Sequence, residues 1–237
     1  MPLLAFDSST DHLSIAVQHG AQVWLYDGPG GAQASATLVP HILALLGHAG
    51  LALPEVQAVV FGQGPGSFTG LRTACAIAQG LAWGAGVPVL PVDTLLAVAE
   101  DARVRHGLSD VLAVLDARMG EVYHGAYRWQ GQRWQPEVAR GVCAPELLPV
   151  PAGFTVAGNA AAAYGERLAP QAAHVPARPS AAALLRLAPA LLAQGGALPA
   201  AQALPLYVRD KVAQTTAERA AAQAARRDSR AFRGTNE

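Results

Sequence analysis

A glycine-rich stretch at residues 61–72, FGQGPGSFTGLR, constrains the fold of this chain more than any other feature. It carries four glycines and one proline, follows the apolar run AVVF and precedes the helix-like pattern LRTACAIAQGLAWG. A strand, a bare loop and a helix in that order indicate an α/β protein. Glycines let backbone N–H groups approach a phosphate at a helix N-terminus, or let another protein come close. No lysine follows in a GxxxxGKS or GxxxxGKT pattern, which excludes a P-loop NTPase.

Charge and composition narrow the function classes. The 237 residues include 17 Lys and Arg and 17 Asp and Glu, so the formal net charge is zero. This balance argues against a protein that coats nucleic acid by charge alone. Cys75 and Cys143 form no CxxC pair, which excludes a thiolate zinc site. The N-terminus lacks the basic region of a signal peptide, and no apolar run reaches the roughly 18 residues that cross a membrane. We therefore expect a soluble, cytoplasmic protein with no membrane partner.

Apolar runs and turn residues predict two related α/β units. The first begins with three antiparallel strands and continues in the order β-β-β-α-β-α-β-α, with Pro40 expected only in the first turn of its helix. In the second, VLAVLDAR predicts a strand and GEVYHGAYRWQGQRW a hairpin that turns near Gln130–Gly131. GFTVAGNAA predicts a further strand and SAAALLRLAPALLAQGG a helix. The Ala- and Arg-rich composition of residues 211–237 predicts an exposed helix and a frayed end.

Three positions at strand ends are candidates for a phosphate or nucleotide site. Asp7 and Ser8 follow the first strand, where a carboxylate and hydroxyls can position Mg²⁺ or phosphate. The alternative is a turn that caps the strand. Asp116 ends a later strand and could serve the same chemistry or pair with Arg118. Gly158 could approach an adenosine or form an ordinary turn.

Two helical stripes are candidates for an interface. The helix after the glycine loop carries small residues that permit close approach of another helix. Its stripe comprises Leu71, Cys75, Ala78 and Ala82, with Ala74 beside it. The preceding helix places Leu38, Ile42 and Leu45 at helical spacing. Packing within the chain and a dimer seam both explain such stripes. Near the start of the second helix, Ser67 suits a helix cap and Arg72 suits an anion or a carboxylate.

Several catalytic classes lack their motifs. The seven histidines include no HExxH and no HxxxH, which disfavours a metallopeptidase. The chain also has no GxSxG elbow, and neither cysteine lies in a nucleophile motif.

The chain resembles the bacterial TsaB (YeaZ) family over most of its length. The most specific match is GPGSFTGLR at residues 64–72, supported by AFDSST at 5–10, EVQAVVFGQ at 55–63, LDARMGEVY at 115–123 and PLYVRD at 205–210. One departure is QASATLVPHI at residues 33–42, where the family commonly carries His-Ser before the leucines. The resemblance implies the two-subdomain fold shared by actin, Hsp70 and sugar kinases (the ASKHA fold), with mixed sheets and a reduced second lobe. We place the subdomains at 1–99 and 100–210 and a tail at 211–237.

The same resemblance implies a function in tRNA modification. Family members assist the addition of threonylcarbamoyl to N6 of adenosine 37 (t6A) in ANN-decoding tRNAs, while the paralogue TsaD carries out catalysis. The chain is then a non-catalytic partner that requires no cofactor, forms a heterodimer with TsaD and a homodimer, and meets tRNA and the ATP-using TsaE within the complex. Asp7, Ser8, Asp116 and Gly158 become vestigial nucleotide positions. The predicted contact face comprises Leu38, Ile42, Leu45, Ser67, Phe68, Arg72, Ala74, Cys75, Ala78 and Ala82. An active kinase of the same fold, using Asp7 and Asp116, is the alternative, followed by a metallopeptidase.

Overall fold

The first half of the chain forms a five-stranded mixed sheet. A computed structural model describes residues 1–209, and all structural statements concern these residues. Strand order in the first sheet is β3-β2-β1-β4-β5, with β1 at Leu3–Asp7, β2 at His12–His19, β3 at Gln22–Pro29, β4 at Val59–Gly64 and β5 at Val89–Asp93. The first three strands pair antiparallel, as predicted, and β4 and β5 add in parallel.

The second sheet repeats this topology. Its strands are β6 at Asp110–Arg118, β7 at Glu121–Gln130, β8 at Arg133–Cys143, β9 at Thr155–Gly158 and β10 at His174–Pro176. Strand order is β10-β9-β6-β7-β8. β6, β7 and β8 form an antiparallel meander, and β9 and β10 add in parallel on the other side of β6. The hairpin predicted near Gln130–Gly131 is confirmed. Two lobes with equivalent sheets are the architecture that the ASKHA resemblance implies.

Five helices cover the sheets. They are α1 at Ala34–His48, α2 at Phe68–Ala85, α3 at Thr94–His106, the short α4 at Ala160–Tyr164 and α5 at Ala181–Ala193. α1 and α2 pack on one face of the first sheet and α5 packs on the other. β1 is apolar on both faces because both are covered: Leu4 and Phe6 face the α1–α2 side, while Leu3 and Ala5 face α5. None of the helices within residues 1–209 is long and apolar enough to cross a membrane.

The subdomain boundaries need correction after residue 180. Leu184 of α5 packs in one cluster with Leu3, and the Ala181 N–H donates to the Ser14 Oγ at 2.9 Å. Residue 198 then pairs with Val89 of β5. The chain therefore returns to the first lobe, because the apolar face of the first sheet needs α5 to cover it. The predicted tail at 211–237 lies outside the described residues.

One helix prediction is wrong in detail. Pro40 lies in the interior of α1, which begins at Ala34, rather than in its first turn. The proline is on the exposed side of the helix. There the carbonyl that loses its helical partner is able to bond to water.

Candidate functional site

The glycines of the 62–70 loop are required by the chain's own packing. A Cβ atom at Gly62 would lie 1.8 Å from the Asp7 Oδ2, and one at Gly70 would lie 1.9 Å from the Ser8 carbonyl oxygen. A Cβ at Gly66 would lie 2.5 Å from the Ser9 carbonyl oxygen. No side chain fits at such distances. The loop therefore lies directly on the segment that follows β1, and this contact explains the bare sequence.

Hydrogen bonds fasten the loop in this position. The Ser67 N–H donates to the Ser9 carbonyl at 2.7 Å, and the Ser8 Oγ donates to the Gly70 carbonyl at 3.0 Å. Ser67 precedes the first residue of α2, as predicted for a cap, but its hydroxyl makes no capping hydrogen bond. Sequence reasoning expected the loop to face an anion or another protein. Its glycines instead serve contact with the turn after β1.

Asp7 is sealed beneath this loop. Its side chain is 0% exposed, and its Oδ1 accepts hydrogen bonds from the Ser9 N–H at 2.9 Å and the Ser9 Oγ at 2.7 Å. Its Oδ2 has no hydrogen-bond partner among the described residues. Burial raises the pKa of the Asp7 carboxyl to about 6, and the two bonds from Ser9 oppose that rise only in part. The turn alternative is thus the observed one, and neither Asp7 nor the buried Ser8 faces a cavity.

A cavity of about 310 Å³ lies between the two lobes. Residues 9–11 and 66–68 line it from the first lobe and residues 115–118 from the second. The remaining walls come from Gly31, Leu71, Tyr123, Asn159 and residues 206–209. Of the four predicted nucleotide positions, only Asp116 lines this cavity. The predicted set is therefore not assembled into one site.

Asp116 is engaged by its neighbours. Its Oδ2 pairs with the Arg118 Nη1 at 2.9 Å, and its Oδ1 accepts from the Tyr164 hydroxyl at 2.8 Å. Its backbone N–H donates to the Asn159 Oδ1 at 3.0 Å. Burial, followed by the bond to Asp116, raises the pKa of Tyr164 to about 12. The ion pair with Arg118, which the sequence left open, is present.

Gly158 has a packing role of its own. Its φ is +152°, and a Cβ there would lie 1.8 Å from the carbonyl oxygen of Val114 on the adjacent strand. The glycine faces a second, more open concavity of about 610 Å³ rather than the cavity beside Asp116. Close contact between β9 and β6 explains why residue 158 is a glycine.

The predicted contact stripes are core, which corrects most of the predicted interface. Seven of its members are buried in one cluster against the first sheet: Leu38, Ile42, Leu45, Ala74, Cys75, Ala78 and Ala82. Their helical spacing reflects packing of α1 and α2 on the sheet. Ser67, Phe68 and Arg72 are exposed at the start of α2. The predicted role of these three residues in an interface therefore remains a proposal.

The opposite side of the same helices is exposed and apolar. We define the outer face as eight exposed residues of α1 and α2: Pro40, Leu43, Ala44, Gly47, Ala76, Gly80, Trp83 and Gly84. Trp83 is 75% exposed and Leu43 is 55% exposed. A Cβ atom at Gly47, Gly80 or Gly84 would meet no atom within 4 Å. The fold of the described residues therefore does not require these helical glycines, although each costs about 1 kcal/mol relative to alanine.

An exposed cluster of aromatic and basic side chains adjoins α2. The Arg72 guanidinium lies 3.7 Å from the centre of the Phe68 ring, and its Nε donates to the Tyr207 hydroxyl at 3.0 Å. The rings of Phe68 and Tyr207 are 5.5 Å apart. Sequence reasoning singled out Phe68 and Arg72 but missed Tyr207, because the two segments are far apart in sequence. Within residues 1–209, no group of three His, Cys, Asp or Glu side chains is arranged to hold a metal ion.

Comparison with known proteins places this architecture in a family. The family model of TsaD, the tRNA N6-adenosine threonylcarbamoyltransferase, matches residues 31–236. The tRNA threonylcarbamoyladenosine biosynthesis protein TsaB of Haemophilus influenzae is 34% identical over 225 residues, which cover 90% of this chain and 95% of the relative. TsaB of Escherichia coli K12 is 37% identical over 149 residues, or 62% of this chain and 64% of the relative.

Structural similarity leads to the same result. YeaZ from Pseudomonas aeruginosa superimposes with a TM-score of 0.82 at 37% sequence identity, covering 87% of this chain and 99% of that structure. The repeated sheets, the loop packed on the end of β1 and the relatives matched along nearly their whole length agree, and the chain belongs to the TsaB (YeaZ) family.

Proposed function

We propose that this chain is a non-catalytic subunit that supports the paralogue TsaD in adding threonylcarbamoyl to N6 of adenosine 37 in ANN-decoding tRNAs. It acts in the cytoplasm and needs no cofactor of its own. ATP is used by the TsaE ATPase of the same complex, and tRNA is met through the complex. A homodimer is an alternative use of the surface that binds TsaD.

The sealed Asp7 is the observation that carries the non-catalytic assignment. A carboxylate that positions metal-bound phosphate must reach solvent or ligand. Here Asp7 is fully buried, and the glycine loop lies so close that a Cβ atom at Gly62 would be 1.8 Å from the Asp7 Oδ2. Asp116 lies elsewhere, on the wall of the cavity, and is engaged by Arg118 and Tyr164. The two carboxylates that the kinase alternative requires therefore do not line the same site.

The outer face is the surface we assign to TsaD. Small residues at Ala76 and Gly80 allow the backbone of a facing helix to approach closely, and Trp83 and Leu43 offer apolar anchors at its edge. Ser67, Phe68 and Arg72 continue this face at the start of α2. The match of this chain to the TsaD family model supports a partner with the same helix pair, so that two similar faces pack against each other.

Reconstitution with single omissions tests the assignment. Purified TsaD, TsaE, this chain, ATP, unmodified tRNA and threonylcarbamoyl-AMP should yield modified adenosine, whereas omission of either TsaD or this chain should abolish it. The chain alone should turn over no ATP. Modification without TsaD would contradict the non-catalytic assignment. ATP hydrolysis by the lone chain that Asp7→Asn removes would support the kinase alternative.

Binding measurements test the surface separately. Gly80→Arg places a long charge at the centre of the outer face and should weaken association with TsaD by about 30-fold or more, which corresponds to about 2 kcal/mol. Arg167→Ala is the matched control, since Arg167 lies on the second lobe in an exposed pair with Glu146. Unchanged affinity for a folded Gly80→Arg variant would place the interface elsewhere. Because net charge is zero, the lone chain should bind tRNA weakly at physiological salt.

A further inference from the structure

The last described segment crosses from one lobe to the other. We define the strap as residues 203–209, which include most of the PLYVRD motif. At its start, the Ala203 carbonyl accepts hydrogen bonds from the Gln79 Nε2 at 2.8 Å and the Cys75 Sγ at 3.4 Å. The Leu206 N–H then donates to the Gln63 carbonyl at 2.7 Å, at the end of β4. These contacts fix the first half of the strap to the first lobe.

Contact with the strap also requires a glycine at position 64. This glycine has φ +122°, and a Cβ there would lie 2.5 Å from the Leu206 carbonyl oxygen. The glycine loop is therefore held between two segments, the turn after β1 on one side and the strap on the other. Tyr207 extends this contact through its bond from Arg72 and its proximity to the Phe68 ring.

The second half of the strap is fixed to the other lobe. Val208 packs against the apolar cluster around Leu115 and Tyr123. Arg209 forms an ion pair with Glu121 at the start of β7. The Arg209 side chain is largely buried, whereas that of Glu121 is 41% exposed, so the pair is shielded from solvent on the arginine side.

Arg209 also holds the turn between β6 and β7. Its Nη2 donates to the Arg118 carbonyl at 3.4 Å, and its Nη1 lies 3.6 Å from the Met119 Sδ. Arg118 and Met119 both have positive φ, at 61° and 57°, which costs energy for residues with side chains. A strained turn persists only when its surroundings hold it, and Arg209 supplies such contacts.

We propose that the strap is a latch between the lobes, and that Tyr207 and Arg209 are the positioning residues that hold the interlobe cavity closed on one side. Residues 206–209 form a wall of that cavity. Other contacts between the lobes include two around α3, where the Tyr127 hydroxyl donates to the Asp93 Oδ2 at 2.7 Å and the Trp134 Nε1 donates to the Glu100 Oε2 at 3.0 Å. An exposed ion pair between Arg178 and Asp27, at 3.5 Å, lies away from α3. Release of the strap would leave the lobes joined through α3, so the cavity would open about that side.

Hydrogen exchange on the full 237-residue chain tests the latch. In Arg209→Ala, peptides covering the 62–70 loop and the 118–121 turn should both exchange about tenfold faster, as expected for the loss of one charge-assisted interaction. Peptides from α5 and β1 should keep their native rates, which a general loss of stability would not allow. Arg167→Ala removes an Arg–Glu pair that does not touch the strap and should change neither segment.

Two further variants make the outcome unambiguous. The double variant Arg209→Glu with Glu121→Arg swaps the two charges and should restore slow hydrogen exchange in part. This double variant is used in place of Arg209→Ala if the single variant does not fold. Tyr207→Phe keeps the ring and removes the hydroxyl, so it should speed exchange at the loop alone. The latch is refuted if the variants accelerate exchange uniformly throughout the core, or if the loop and the turn stay at native rates.

Discussion

The two sides of the α1–α2 layer have opposite compositions and, on our account, opposite purposes. The inner side carries Leu38, Ile42 and Ala78 at helical spacing and is sealed against the first sheet. The outer side combines helical glycines with an exposed tryptophan. Apolar periodicity therefore marks the side of the helices that packs on the chain's own sheet. The side available to a partner is marked by residues that its own fold does not require.

The largest expected effect separates the two sides at neighbouring positions. Ala78→Arg places a charge in the core without a partner, which should cost about 3–5 kcal/mol or more and leave the chain unfolded or aggregated. Ala76→Arg, two residues away on the outer face, should leave the thermal unfolding temperature within experimental error. Thermal melts followed by circular dichroism compare the pair. A folded Ala78→Arg protein would show that the assignment of the inner side is wrong.

A second effect of similar size concerns the carboxyl beneath the loop. The Asp7 pKa is raised from 3.8 to about 6 in the folded protein, so folding favours the protonated form. The contribution of Asp7 to the free energy of unfolding is complete below pH 3.8 and is lost as pH rises through about 6. The loss amounts to about 3 kcal/mol. Urea unfolding of wild type and Asp7→Asn from pH 3 to 7 should show the variant gaining that amount relative to wild type. Parallel pH curves would contradict the raised pKa.

A third, smaller effect tests the glycine loop. Gly62→Ala forces a methyl group into the space of the Asp7 Oδ2, and overpacking of this kind costs about 1–3 kcal/mol. The urea midpoint should fall with no change in the slope of unfolding free energy against denaturant. Combining the substitution with Asp7→Ala, which empties that space, should recover part of the loss. Equal costs in both backgrounds would mean that the two residues do not meet.

The smallest expected effect has the opposite sign. Gly80→Ala lies in the interior of α2 with open space for its methyl group, so it should stabilise the lone chain by about 1 kcal/mol. On our account the same methyl group weakens association with TsaD, since it separates the facing helices. Chemical unfolding and a binding titration measure the two quantities on one variant. Destabilisation of the lone chain would show that its own fold needs this glycine.

These contrasts indicate what the sequence could and could not predict. Most strands and helices, and the echo of the first unit in the second, followed from apolar runs and turns. The short β10 and α4 and the strand order of the sheets were not predicted. The faces of α1 and α2 were reversed, since spacing at Leu38 or Ala78 reports burial against any surface and does not distinguish a sheet from a partner. Gly80 and Trp83 carried the missing signal: a helical glycine and a large apolar residue that lie off the buried stripe of α2.

The functional positions were harder to predict for a related reason. Asp7 was identified as a carboxylate at a strand end, but the sequence did not show that Gly62 lies against it. That contact joins neighbouring parallel strands that are separated by more than fifty residues. The role of Tyr207 and Arg209 likewise depends on the return of the chain from α5 to the cleft. Such contacts are set by topology, which local patterns do not encode.

Hydroxyl-radical footprinting of the chain with and without TsaD tests the central claim most directly. Trp83 and Leu43 are exposed in the lone chain, and their oxidation should fall several-fold when TsaD is bound. Leu147, which is 74% exposed on the second lobe, reports the control rate and should not change. Protection of the outer-face residues with an unchanged Leu147 is the result that we predict. Unchanged oxidation of Trp83 and Leu43 in a complex shown to be intact would contradict the assignment of this face to TsaD.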